Sequence, residues 1–356
     1  MGSNPTSSAK FFQPWREEAI TRISHYLAHL PFRRWLLALS VLLFVLAVVP
    51  FFRAPKSFRD QIVQFLRDEQ IGGAVVAYGT IGSSPTVIAI GTAAPSRKMQ
   101  PDDRFRLASL AKPVTAAAVL RLVEEGRIGL DSPVPEAGRG ITVRHLLQHS
   151  GGWDRSISID PISTPETLSQ IGITGPHRCE DVAARIPPAQ FRPGTRYAYS
   201  NIGYCRLGQV IERVSGLPYA TYVQRYVLAP RKASLVYNGR PTVYYHSNWP
   251  DTAYQALGPG GGWTGSAGAF WSFAAGPLNP QVTERPPYAA RGESYYGLGW
   301  RVWPDGTLSH FGAIAGVFTM VVRKNDRVAV LLFNGRPAND EEAFERLRAV
   351  LKSVGV

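Results

Sequence analysis

Charge is scarce in this chain: Asp, Glu, Lys and Arg make up 18% of its 356 residues. Hydrophobic residues supply 45%, enough to bury one large core or two modest ones, so wholesale disorder is excluded. Acidic residues are the scarcer sign, 26 against 39 Lys and Arg, leaving a formal charge of +13. That balance invites a nucleic-acid partner, but no run of Lys or Arg lies beyond residue 60 and no zinc-ligand or RNA-binding signature occurs. Nucleic acid is therefore not an expected partner. The G-x-S-x-G elbow of α/β-hydrolases is missing too, because Ser266 has Thr264 where glycine is needed. His145 and His149 lack the glutamate of H-E-x-x-H, so they read as packing residues rather than metal ligands. Gly260 to Gly265 matches the spacing of a dinucleotide loop but follows no strand and sits in no βαβ unit. Neither a metal nor an organic cofactor is called for. No internal repeat is evident.

Long apolar runs are also rare, with one exception. Trp35 to Phe52 carries no charge over 18 residues, the lower end of what spans a bilayer. Lys10, Arg16, Arg22, Arg33 and Arg34 precede it, a weighting that keeps the N-terminal side cytoplasmic. A cleaved signal peptide would need a 34-residue basic region, and no small-x-small site follows the run. The expectation is a cytoplasmic tail over 1–34, an uncleaved transmembrane anchor over 35–53 and an extracytoplasmic domain over 54–356. This places the protein in the inner membrane as a single-pass chain, its domain facing the periplasm or cell exterior. Ile20, Ile23, Leu27 and Leu30 share one helical face, so the tail reads either as a membrane-surface helix or as a cytoplasmic stub. The only two cysteines, Cys179 and Cys205, would be free to pair outside the cytoplasm. Spacing alone leaves a disulfide and two separate buried thiols equally open.

Gly (34) and Pro (28) are plentiful and divide the rest into short elements. Ser57–Asp68 reads as an amphipathic helix. Gly73–Tyr78 and Thr86–Ile90 read as strands joined by a hairpin over Gly79–Pro85. Helices are expected at Leu110–Glu125, Val143–Gln148 and Asn201–Val214, the first and last stopped by Gly126 and Gly216. Residues 153–194 and 233–295 are loop-like, with one small helix at Gly268–Phe273; residues 154–190 and 276–294 are expected to shape the pocket. Four strands close the chain at Tyr296–Trp303, Thr307–Phe311, Val317–Arg323 and Val328–Asn334, with a turn at Gly312–Gly316, before a helix over Glu341–Val354. Strands at both ends with helices between them predict an α+β fold: one antiparallel sheet from the two chain ends, flanked by helices, and a mainly helical lobe.

Three motifs occur in order: Ser109-Leu-Ala-Lys112, Tyr199-Ser-Asn201 and His310-Phe-Gly312. Ser109 stands where the Leu110–Glu125 helix begins, in the positive potential of unpaired N–H groups that suits a developing oxyanion. Lys112 is one turn on and shares its face. A lysine desolvated in a cleft can accept the serine proton. Read alone, Ser109 would be a helix cap and Lys112 a solvated surface residue. The ordered set supplies the parts of an acyl-transfer site.

The flanking string Phe-Arg-Leu-Ala-Ser-Leu-Ala-Lys-Pro-Val-Thr, with Tyr-Ser-Asn and His-Phe-Gly, resembles the serine β-lactamase and penicillin-binding-protein superfamily. The nearest likeness is to the class C-related branch of esterases and D-amino-acid peptidases, from about Phe58 to Leu351. The resemblance implies a β-lactamase/transpeptidase-like fold with the site between sheet and helical lobe. It implies Ser109 as nucleophile, and Lys112 and Tyr199 as the residues that move its proton. A tyrosinate at Tyr199 would need positive charge from Lys112. Asn201 would hydrogen-bond the acyl amide, and His310, Phe311 and Gly312 would border the substrate. The N–H groups of Ser109 and Ala313 would hold the oxyanion. Most β-lactamases carry Lys-Thr-Gly or Lys-Ser-Gly where His310-Phe311-Gly312 stands. The substitution removes a cation and a hydroxyl that hold the antibiotic carboxylate, a contact worth roughly 1.5–3 kcal/mol. An ester or peptide-like small molecule is therefore the expected substrate, ahead of cell-wall peptides or penicillins. A ligand-sensing or scaffolding module on the same fold is the alternative of another class.

Overall fold

The computed structural model describes residues 57–246 and 254–356, together with Leu39 and Ser40. The expected tail over 1–34 and anchor over 35–53 lie outside these residues apart from Leu39 and Ser40. Among the described residues no helix is long and apolar enough to cross a membrane. Phe58–Val356 forms one compact unit.

That unit is organised by a sheet to which both ends of the domain contribute, as the strand pattern predicts. β1 (Gly73–Thr80) pairs antiparallel with β2 (Thr86–Ala94) on one side and with β11 (Arg327–Phe333) on the other, in register Ala74↔Phe333. β10 (Val317–Lys324) and β9 (Leu308–Ile314) follow; β3 (Arg97–Lys98) flanks β2, and β8 (Arg301–Val302) and β7 (Tyr295–Tyr296) flank β9, so the full order is β3-β2-β1-β11-β10-β9-β8-β7. The central strands are apolar on both faces because both are covered. Ala74, Val76, Met320, Leu331 and Phe333 pack against Ile62 and Phe65 of α1 (Phe58–Asp68) and Phe344 and Leu347 of α9 (Asp340–Leu351). One residue along each strand, Val75, Ala77, Val321, Val330 and Leu332 turn the other way, into the core shared with the helical lobe.

The lobe is built on α2 (Ala111–Glu124), packed against α6 (Asn201–Ser215) and the turn Gly258–Gly260. Ser200 caps α6 by accepting from the Gly203 amide, and Gly216 ends it at φ 73°. The two cysteines are bonded, Cys179 at the start of a short helix (Cys179–Ala183) and Cys205 on α6, which settles the alternative that spacing left open.

Two expectations are corrected. Tyr296–Trp303 is not one strand but a hairpin of β7 (Tyr295–Tyr296) and β8 (Arg301–Val302). Gly299 breaks it: its φ is 89°, and a Cβ there would come within 2.3 Å of the Ala116 methyl on α2. The turn expected at Gly312–Gly316 is shorter, since β9 continues to Ile314 and reverses at Gly316 (φ 73°). The segment 233–295 expected to be loop also hides two strands of a small three-stranded sheet, β5 (Val236–Tyr237) and β6 (Trp263–Gly265), the latter pairing as well with β4 (Phe105–Arg106). Strands of two or three residues are too short to show a period.

The bridge closes a loop across 26 residues, so the Cys179→Ser/Cys205→Ser variant should lose roughly 3 kcal/mol of stability. Urea unfolding under non-reducing conditions checks this; an unshifted midpoint would show that the bridge contributes nothing.

Candidate active site

Ser109 is held in place by backbone contacts from three directions. β4 delivers the chain to Leu107, whose amide donates to the Trp263 carbonyl (2.9 Å) and to the Tyr254 hydroxyl (3.1 Å). Ala108 then takes a left-handed conformation (φ 47°), which costs a residue with a Cβ about 1–2 kcal/mol. Ser109 follows within the single 3-10 turn Ala108–Leu110, and α2 begins two residues later. Its side chain is not the helix cap: Leu110 occupies that position, with no side-chain cap bond. From the other side Thr319 on β10 donates to the Leu107 carbonyl (2.9 Å). Gly312 on β9 lies backbone against backbone, and a Cβ there would fall 2.7 Å from the Ser109 nitrogen and 2.8 Å from the Leu107 oxygen. Only glycine fits. The following residue, Ala313, lines the same cavity as Ser109, so the two elements carrying the expected oxyanion amides adjoin.

Lys112 is fully buried. Its Nζ donates to Asn201 Oδ1 (2.7 Å) and to the Gly260 carbonyl (2.8 Å), and lies 3.2 Å from Ser109 Oγ. The rings of Tyr199 and Tyr204 sit 4.7 and 5.4 Å away. Burial drives its pKa well below the ordinary lysine value; Asp160 opposes that and Arg155 adds to it. A neutral amine has two N–H groups and one lone pair. Asn201 Oδ1 and the Gly260 carbonyl can only accept, so they take both N–H groups. The lone pair is left for Ser109, the one neighbour at contact that can donate.

Tyr199 donates its phenolic hydrogen to Ser109 Oγ at 2.5 Å. Burial raises its pKa above the ordinary tyrosine range. Burial thus works against the expected tyrosinate: the same desolvation that lowers the Lys112 pKa raises that of the phenol. The His149 ring stacks on Tyr199 with centroids 4.3 Å apart and accepts from the Ser200 amide at Nδ1 (3.2 Å). His145 caps its own helix by accepting from the Thr142 amide. Both histidines thus have structural surroundings.

The remaining expected residues divide. Asn201 is buried with both ends of its amide engaged: Oδ1 by Lys112, and Nδ2 donating to the carboxylate of Asp160 at 2.9 and 3.2 Å. It stands behind the lysine rather than open to a substrate. His310 borders the cavity but is buried, accepting at Nε2 from Tyr296 (2.8 Å) and donating from Nδ1 to the Phe311 carbonyl (2.8 Å). Burial pushes its pKa down to about 3, so no cation stands on this strand at neutral pH. The Phe311 ring packs on Phe318 and Phe344 at 5.9 and 5.6 Å, so the residue reaches the cavity only at its rim.

A cavity of about 320 Å³ opens over Ser109, with Arg155, Tyr197, Tyr296 and Arg301 in its walls. Arg301 is paired with Glu341 (3.1 Å). The exposed Arg155 guanidinium rests over the Tyr199 ring, 5.2 Å from its centroid, with no carboxylate in ion-pair range among the described residues. Asp160 and Arg155 were not singled out in the sequence, and Gly260 was noted only as the start of a glycine-rich loop. Tyr197, with no asparagine two residues on, also proves to line the cavity. None of the four carries a local signal, since each reaches the site only through the fold.

The family model named Beta-lactamase matches residues 58–352. Among curated proteins, the probable fimbrial assembly protein FimD (serogroup H1) of Dichelobacter nodosus is 33% identical over 147 residues, 36% of this chain and 34% of its own. Esterase EstB of Burkholderia gladioli is 31% identical over 198 residues, 47% of each chain. The chain thus spans between a third and a half of the length of these relatives. The solved D-amino acid amidase of Ochrobactrum anthropi SV3, complexed with D-phenylalanine, superposes with a TM-score of 0.67 at 19% identity, covering 84% of this chain and 99% of that one. With the sheet, the helical lobe and the Ser109–Lys112–Tyr199 contacts, the match over residues 58–352 makes this chain a member of the Beta-lactamase family, the serine β-lactamase and penicillin-binding-protein superfamily.

Proposed function

We propose that this protein is a membrane-anchored serine hydrolase that cleaves an ester or amide through an acyl-Ser109 intermediate. The observation that carries the reading is the Lys112 contact set, which leaves one lone pair and directs it at Ser109 Oγ. Ser109 Oγ attacks the carbonyl carbon while its proton passes to Lys112 Nζ. The carbonyl oxygen, now negative, accepts from the N–H groups of Ser109 and Ala313. As the carbon–heteroatom bond breaks, Tyr199 gives its phenolic proton to the leaving group, and the Lys112 ammonium replaces it. Water then attacks the acyl carbon by the same route in reverse, releasing the acid and free Ser109.

Kinship with an esterase and the fold of an amidase support both bond types. A neutral His310 disfavours efficient β-lactam hydrolysis and D,D-carboxypeptidase action, which rely on a cation at that strand. Arg155 supplies a cation from the loop after Trp153 instead, which favours substrates carrying a carboxylate within reach of the Tyr199 ring. The uncharged run over 35–52 and the Cys179–Cys205 bridge support an inner-membrane anchor with the domain on the oxidising side.

Intact-mass analysis of the full chain after a fluorophosphonate probe should show one adduct, absent in Ser109→Ala. No adduct on folded protein would favour the sensing or scaffolding module. Lys112→Ala should lower kcat/KM for p-nitrophenyl esters at least about 100-fold. Because the base works uncharged, the wild-type rate should fall on the acid side as pH drops through the depressed Lys112 pKa. It should not fall through the ordinary tyrosine range, since Tyr199 works protonated. Arg155→Gln removes a charge that disfavours the ammonium, so the acid limb should move to higher pH. The preference for a succinyl over a butyryl ester should also drop about 10-fold. An unchanged preference would remove Arg155 from substrate recognition.

A further inference from the structure

A carboxylate stands behind the lysine, on a loop that carried no signal in the sequence. Asp160 is buried, 6% exposed, and its oxygens accept from Asn201 Nδ2 at 2.9 and 3.2 Å and from the Ile162 amide at 3.2 Å. Its own backbone is fixed by Ser163, whose hydroxyl accepts from the Asp160 amide and whose amide donates to the Asp160 carbonyl, both at 2.9 Å. The next carbonyl, of Pro161, lies 2.9 Å from His177 Nε2. The carboxylate is thus held by short-range bonds within its loop and spends its remaining capacity on Asn201.

A side-chain amide has an accepting end and a donating end of nearly the same shape, and nothing in a packed core distinguishes them except their partners. Next to Lys112 alone, Asn201 would have no fixed choice. With its oxygen inward it accepts a lysine N–H; with its NH2 inward it would accept nothing and compete for the lysine lone pair. The Asp160 oxygens, acceptors only, remove that freedom because only the NH2 end can face them. We propose that Asp160 is the positioning residue of this site: it fixes the orientation of Asn201, commits one Lys112 N–H to Asn201 Oδ1, and so directs the lysine lone pair at Ser109. This rests on the hydrolase reading, in which Lys112 is the base. The order is Asp160, Asn201, Lys112, Ser109, with the carboxylate two residues removed from the reacting oxygen and touching no substrate.

Charge gives the role a sign. The groups facing the amine are Asp160 and Arg155 from the loop, Tyr199 and Tyr204 around α6, His149 after its short helix and His310 on β9. Both histidines are pushed below their ordinary range by burial and are neutral. Asp160 is therefore the negative charge that favours the lysine ammonium, against burial and Arg155.

In the full chain, Asp160→Asn should lower kcat/KM for p-nitrophenyl acetate about 10- to 100-fold, mainly in kcat. The acid limb of kcat/KM should move to lower pH, because the charge that favours the ammonium is gone. Merely loosening the loop would admit water to Lys112 and move that limb to higher pH. That shift, or a rate and limb both unchanged, would overturn the proposal. The swapped variant Asp160→Asn/Asn201→Asp again leaves only an acceptor beside the lysine. It should exceed Asp160→Asn in rate at alkaline pH, with an acid limb above that of the wild type. Should Asp160→Asn fail to fold by circular dichroism, a folded and active swap supports the assignment and a folded, inactive one overturns it. Wild-type protein that takes no fluorophosphonate would sink the hydrolase reading itself, a result seen before any Asp160 variant is made.

Discussion

The constraint on which the rest depends is the burial of one lysine nitrogen. A charged ammonium in that position would face a desolvation cost far larger than its hydrogen bonds return. Burial eases this by driving the lysine's pKa well below its ordinary value, and every neighbour is of a kind that tolerates a neutral amine. Two neighbours accept and one can donate, while two aromatic faces close the sides. The same dryness keeps the neighbouring phenol protonated. A basic amine and an acidic hydroxyl therefore meet the same serine oxygen from different sides, a division of labour set by burial rather than by charge.

Such a nitrogen must be enclosed from several directions at once, which explains why the site sits where sheet and lobe meet. α2 carries Ser109 at its threshold and Lys112 in its first turn. α6 brings Tyr199 and Asn201 to the same point, and Gly260 arrives from a third segment. The sheet contributes almost nothing but backbone. Gly312 lets β9 lie directly on the serine turn, while Phe311, one residue back, turns its ring towards α9. The strand is thus a wall on one face and core on the other, and alternation along seven residues is enough to make it both.

What the sequence discloses follows the range of each interaction. Ser109 and Lys112 are one turn apart on a helix whose pattern is plain, so their meeting is readable from spacing. The sheet built from both chain ends follows from where apolar runs occur, and Gly216 and Ser200 mark α6 by local rules. Asp160, Gly260 and Arg155 lie 48, 148 and 43 residues from Lys112 or its neighbours in a chain with no intervening pattern. Nothing local ties them to it. His310 was legible as a departure from Lys-Thr-Gly, but its neutrality depends on Tyr296 and on burial, neither of which a motif contains. Gly299 misled in the opposite way: in a β-rich string it reads as strand, whereas its left-handed backbone and the Ala116 methyl beside it demand a turn.

The pairing of β1 with β11 also has a consequence in time. Ala74 finds its partner at Phe333, near the far end of the chain. A ribosome working from the N-terminus must therefore release almost the entire domain before the middle of the sheet can close. β9 and β10, which press on the serine turn, are among the last segments to emerge. Contacts this distant in sequence are slow to form. Until they do, Ser109 lacks the wall that completes its surroundings.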